Sequence, residues 1–174
     1  MNNRTRALLA LALAAAAAAH AGAQVSRTLT FGFDNPAVMS LDISRNTVSF
    51  QLPPEFTAAP KEMTNAVVIM VKSNVPWALT ATVSGDFRAQ ENPAHVIAAE
   101  KMSFRCRVLG PGAGVSEQDQ YQPFAKNQAM PVARGGATPN EGLSITTDYR
   151  LRIDLADPAG TYTLPITYTL SPTQ

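Results

Sequence analysis

The side chains able to do chemistry are few and scattered along this chain. It has two histidines, His20 and His95, and one cysteine, Cys106. A hydrolytic triad needs a nucleophile, a base that takes its proton and an acid that orients the base. His95 stands in Asn92-Pro93-Ala94-His95-Val96, the surroundings of a loop or strand edge, and no Gly-x-Ser-x-Gly elbow accompanies it. Cys106 lies in Met102-Ser103-Phe104-Arg105-Cys106-Arg107-Val108, where Met102, Phe104, Cys106 and Val108 share one strand face. This predicts a buried thiol packed as a small hydrophobe; a nucleophilic thiol would need an activating base beside it. One His and one Cys do not make a structural zinc site by themselves. Glycosidase chemistry would have to draw on Glu55, Glu62, Asp86, Glu91 and Glu100, which are dispersed as ordinary surface acids are. The densest acidic stretches, Glu117-Gln118-Asp119 and Asp154 with Asp157, lack the ligand spacing of a calcium loop. Asp157 is read as support for its own turn. The expectation is of no catalytic residues, no cofactor and no metal: not an enzyme.

Residues 1–23 have the form of a secretory signal peptide. Arg4 and Arg6 precede an Ala/Leu run from Ala7 to Ala19, and Ala21-Gly22-Ala23 is a small-x-small cleavage site before Gln24. The run falls short of the roughly 20 apolar residues that span a bilayer. No Cys follows the cleavage site, which argues against a lipid anchor, and no second long apolar run predicts a transmembrane segment. Of 174 residues, removing 23 leaves 151, one ordinary domain, residues 24–174, with enough chain for a core. Lys+Arg number 14 and Asp+Glu 13; without Arg4 and Arg6 the balance is 12 against 13, or −1. A near-neutral chain has no electrostatic reason to bind nucleic acid or an anionic membrane. The location expected is the cell surface, the periplasm or the extracellular space.

A period of two runs through the rest of the sequence. Ile145, Tyr149, Leu151, Ile153 and Leu155 share one parity, and Thr146, Asp148, Arg150, Arg152 and Asp154 the other. After Asp157-Pro158-Ala159-Gly160 the alternation resumes with Tyr162, Leu164, Ile166, Tyr168 and Leu170, which together predict a β-hairpin. Further strands are predicted at Leu29–Phe33, around Leu41 and Ile43, at Thr47–Leu52, Asn65–Lys72, Trp77–Val83 and Met102–Leu109. Gly110–Gly114 is a flexible connector that opens no helix, Ser116–Gln122 a polar stretch, and Pro131–Gly142 a second long loop; these segments are candidates to face a ligand. About eight or nine short strands with turn signals between them predict an all-β fold, an Ig-like antiparallel β-sandwich. A small barrel or jelly roll is the alternative.

Two short motifs stand out on this frame. Ser73-Asn74-Val75-Pro76-Trp77-Ala78-Leu79 places a Trp-x-Leu after an Asn/Pro turn, and Gly160-Thr161-Tyr162 leads to Tyr168-Thr169-Leu170. In these features the chain resembles the WxL-type bacterial cell-surface domains, with Tyr168 where the second motif of that family has Trp. The resemblance implies an exported β-rich domain that attaches noncovalently to the cell wall, with Trp77, Leu79, Tyr168 and Leu170 as the motif residues. Read from alternation alone, Trp77 is a core anchor in line with Leu79 and Val83.

Two functions follow as expectations. One is a noncatalytic envelope or surface protein whose partner is a cell-wall or envelope component, a surface layer or polysaccharide, or another surface protein. The other is a pilin-like fibre subunit or adhesin, in which Arg27–Phe33 is donated to a neighbour's sheet edge.

Overall fold

The structure is a computed structural model that describes residues 27–52, 59–109 and 115–173. The signal-peptide segment, the Pro53-Pro54 strand stop and the Gly110–Gly114 connector lie outside those residues. The chain divides into two compact units, Met1–Asn35 and Pro36–Gln174. In the first, residues 27–35 carry no regular secondary structure; the strand expected at Leu29–Phe33 is not formed, and Leu29, Phe31 and Phe33 are exposed.

The second unit holds twelve described strands: β1 Met39–Ile43, β2 Lys61–Ser73, β3 Trp77–Val83, β4 Phe87–Ala89, β5 Val96–Ile97, β6 Met102–Leu109, β7 Ser116–Glu117, β8 Gln122–Pro123, β9 Met130–Gly135, β10 Leu143–Leu151, β11 Tyr162–Thr163 and β12 Ile166–Pro172. One sheet runs β1-β2-β10-β6-β8, a second β12-β3-β9-β7, and a small third β11-β4-β5. Every strand ladder is antiparallel. The two larger sheets bury one core between them, with Ile69, Val71, Phe104 and Ile145 from the first meeting Trp77, Leu79, Val83 and Val132 from the second. Two antiparallel sheets packed face to face over this core make an all-β sandwich, as the alternation predicts.

The expected hairpin does not form. β10 ends at Leu151 and pairs with β2 and β6, whereas β12 pairs with β3 in the opposite sheet. Beyond Leu151 the chain is held by the Arg152 amide on the Lys101 carbonyl. Lys101 in turn binds the carboxylates of Asp154 (2.8 Å) and Asp157 (2.6 Å). Asp157 also accepts the Asp154 amide (2.7 Å) and so closes its own turn, while Leu155 is left exposed. Both segments have one apolar face. Those faces meet across the sandwich instead of lying side by side, because period two decides the face and not the neighbour.

Three other expectations fall to the same cause. Thr47–Leu52 forms no strand, although Val48 and Phe50 still pack, half-buried, against the core. Pro131–Gly135 belongs to β9, with Val132 and Ala133 buried. There Leu79 pairs with Ala133 and Thr80 with Pro131, so Val132 is the extra residue of a bulge, a place where a ladder tolerates proline. The polar Ser116–Gln122 stretch supplies β7 and the start of β8.

Asp148 breaks the alternation of β10. It lies on the parity expected to face water, yet it is fully buried. Its carboxylate accepts the Asn65 amide (2.7 Å), Arg105 Nε (2.9 Å) and Arg107 Nη2 (3.1 Å). Opposite it the β2 register slips between Val67 and Met63, and Asn65 takes a left-handed φ of 49°, a conformation Asn tolerates better than most residues. Burial pushes the Asp148 carboxyl pKa up, but the Asn65 amide and the two guanidinium groups outweigh it and hold it below the usual value.

Hydrogen bonds to a charged group contribute about 1.5–3 kcal/mol, and because Arg105 and Arg107 stay solvent-accessible when the carboxylate is removed, Asp148→Ala is expected to lose stability on that scale in denaturant titrations. A carboxyl whose folded pKa is depressed stabilises above its unfolded value, about 3.9, and that stability goes as pH falls through the folded value. Melting temperatures measured from pH 7 down to pH 3 should therefore drop less steeply for Asp148→Asn than for the natural chain.

Candidate functional site

The Ser73–Pro76 corner carries the chain from the first sheet to the second and presents the first motif. Ser73 Oγ donates to the Val75 carbonyl (2.7 Å) and accepts the Val75 amide (3.2 Å). The Asn74 side chain accepts the Val38 amide (2.7 Å) and donates to the Pro36 carbonyl (2.8 Å). Thr138 accepts the Ser73 amide through Oγ1 (3.0 Å) and donates its own amide to the Ser73 carbonyl (2.8 Å). With the corner held, Trp77 enters the core as the first residue of β3 and is fully buried, as is Leu79. The indole Nε1 of Trp77 has no hydrogen-bond partner among the described residues.

The structure brings both motifs together on adjacent strands. Leu170 pairs with Leu79, and Pro172 with Trp77. Tyr168 and Leu170 are half-buried with their side chains against the core. The Tyr168 hydroxyl makes a 2.6 Å hydrogen bond with that of Tyr149 on β10, so it ties the two sheets together. Burial raises the pKa of both phenols, that of Tyr149 to about 12, and both are neutral at physiological pH. Trp77 and Leu79 thus lie inside the sandwich, while Tyr168 and Leu170 are partly exposed beside them.

β12 lies at the edge of its sheet, with β1 of the facing sheet near it. Among the described residues no strand pairs with its outer side. The Thr173 amide donates to the Pro76 carbonyl (2.9 Å). Hydrogen-bonded and non-bonded pairs alternate along an antiparallel ladder, so Thr167, Thr169 and Ser171 turn their amides and carbonyls to β3. Ile166, Tyr168 and Leu170 therefore turn theirs outward. The same three side chains face the core and remain only half-covered.

The other edges are blunted by the devices that keep strands from pairing with other chains. β7 and β8 are two residues each, and β1 has five with Asp42 among them. β12 runs seven residues, Ile-Thr-Tyr-Thr-Leu-Ser-Pro, with no charge.

Several of the residues weighed for chemistry are engaged in structural bonds, and Glu55 lies outside the described residues. Cys106 is fully buried, its Sγ 3.6 Å from Thr147 Oγ1, and burial pushes the thiol pKa up to about 12, which suppresses the reactive thiolate. His95 is half-buried in the β4–β5 turn, its amide on the Asn92 carbonyl and its carbonyl accepting from Ala89. Asp86 takes the Ala99 amide and Lys126 (2.9 Å), and Glu91 the Thr161 amide (3.0 Å). No group of three or more His, Cys, Asp or Glu suited to a metal occurs among the described residues.

One cluster escapes the reading of the sequence. The Tyr121 ring carries the guanidinium of Arg150 at 3.8 Å and of Arg105 at 4.6 Å. Its hydroxyl donates to Glu62 (3.2 Å), which also pairs with Arg150. The exposed-parity arginines of β6 and β10 are the only trace of it in the sequence, because Tyr121 and Glu62 come from distant segments. The ring is engaged by two cations, so the cluster braces the sheet.

No family model matches this chain, and no curated protein is similar to it. The likeness to WxL-type domains rests on the two short motifs alone.

Tyr168→Phe should leave the Tyr149 hydroxyl without its partner and cost about 1–3 kcal/mol with the strand content unchanged. Trp77→Ala should cost about 3–5 kcal/mol. Guanidinium unfolding followed by circular dichroism measures both.

Proposed function

We propose that this chain is an exported, noncatalytic protein of the cell envelope or surface that works by holding a protein partner along the open β12 edge. The single observation that carries this reading is the uncharged, seven-residue edge whose outward amides and carbonyls pair with no strand among the described residues. Such an edge accepts an extended peptide: its main chain supplies affinity, and alternate side chains supply fit. That chemistry suits a polypeptide, from a surface layer or another subunit, better than a polysaccharide. The signal-peptide pattern of residues 1–23 supports export. The resemblance to WxL-type domains points to the same compartment. The engagement of the Cys106, Asp86 and Glu91 side chains in structural bonds supports a noncatalytic role.

The test is retention of the purified exported chain on isolated envelopes, with an unrelated sandwich domain as control. Retention several-fold above control is expected, lost after protease treatment of the envelopes and lost in Ile166→Lys, which puts a charge on the edge. Retention equal to control, or retention that survives protease, overturns the reading. Circular dichroism of Ile166→Lys checks that its sandwich is intact.

A further inference from the structure

We propose that the strand received by β12 is the segment Arg27–Phe33 of a second copy of this chain, an inference that rests on β12 being a docking edge. Leu29, Phe31 and Phe33 are 74, 86 and 90% exposed, and no strand ladder includes them. They alternate with Thr28, Thr30 and Gly32. The other large apolar side chains exposed among the described residues stand apart from one another. Three at period two, with small or polar residues between, are the pattern of a strand waiting for a half-buried site. Three apolar side chains at strand spacing need a sheet edge to cover them, and β12 of a second copy offers one of matching length and pattern.

The two patterns match over their whole length. β12 has seven residues, and Arg27–Phe33 spans the same number in the sequence. Antiparallel addition, the sense of every strand ladder here, sets Phe33 opposite Ile166, Phe31 opposite Tyr168 and Leu29 opposite Leu170. Residues directly opposite share a face, so these three pairs lie over the core, where β12 is half-covered. The intervening pairs, Gly32 with Thr167, Thr30 with Thr169 and Thr28 with Ser171, fall on the solvent face, and all are small or polar. At the far end Arg27 meets Pro172, which has no amide to donate and marks the limit of the ladder. A one-residue slip would put the three large side chains in water. Donor and acceptor are different surfaces of one chain, so the contact is heterologous and generates rings or open chains.

The test uses two single-cysteine variants, Thr30→Cys and Thr169→Cys, both on the exposed parity. The natural Cys106 is fully buried and stays out of reach. Opposed residues have Cβ atoms roughly 4.5–5.5 Å apart, near enough for a disulfide after small adjustment. Mixing the two variants under mild oxidation should give covalent dimers several-fold faster than mixing Thr30→Cys with Ser40→Cys on β1. Adding Phe31→Arg to the Thr30→Cys chain should abolish that excess, and sedimentation should then find monomers. Equal cross-linking at Ser40, or a Thr30→Cys/Thr169→Cys double variant that closes only within one molecule, overturns the proposal. If cross-linking fails while envelope retention is still lost in Ile166→Lys, β12 remains a docking edge for another polypeptide. If Ile166→Lys changes neither result, both readings fall.

Discussion

The buried carboxylate of Asp148 is the constraint on which the first sheet depends. A charge without water is tolerated only when it is paired and hydrogen-bonded. Asp148, on β10, takes its partners from both neighbouring strands: the Asn65 amide of β2, and Arg105 and Arg107 of β6. The Asn65 amide reaches it because β2 bulges there and Asn65 adopts a positive φ. The carboxylate thus pins the register of β10 against both neighbours, and through that register the inward faces of Ile69, Phe104 and Ile145 are set. A polar residue at this position specifies which arrangement of strands is stable, where alternation alone would admit slips by two.

Closure of the sandwich follows from that sheet. The Ser73–Pro76 corner hands the chain to β3, and the hydroxyl pair of Tyr149 and Tyr168 links β10 to β12 across the core. Three of the outer strands are short or charged. β12 is neither, and its core-facing residues stay partly wet. A natural fold that leaves one long edge uncharged, while blunting the others, has an unequal distribution of pairing risk. The proposed docking role of β12 would account for that inequality, and Leu29, Phe31 and Phe33 match it in period.

Much of the fold was legible in the residues themselves. The Trp77–Val83 alternation reappears as strictly alternating burial in β3, and Met102, Phe104 and Cys106 all turn inward in β6. The doubly apolar Asn65–Lys72 run became the central part of β2. Other features were hidden for identifiable reasons. Pro131 disguised β9 because a bulge absorbs the proline. Val48 and Phe50 kept their alternation without gaining a strand partner. Asp148 read as a solvent residue because the amide and the two arginines that make its burial possible lie 83, 43 and 41 positions away. The edge at β12 was not visible as an edge, since nothing local marks a strand as last in its sheet.

By itself the sequence determined the inward faces of β3, β6 and β12 and the burial of Cys106, because side-chain parity is a property of neighbouring residues along one extended chain. Only the tertiary structure decided that β10 and β12 face each other from opposite sheets, that the two Trp/Tyr-x-Leu motifs lie side by side, and that one strand is left with an open flank. Pairing partners are chosen by the competition of whole faces for a single core, a contest among segments far apart in the chain that no local pattern records.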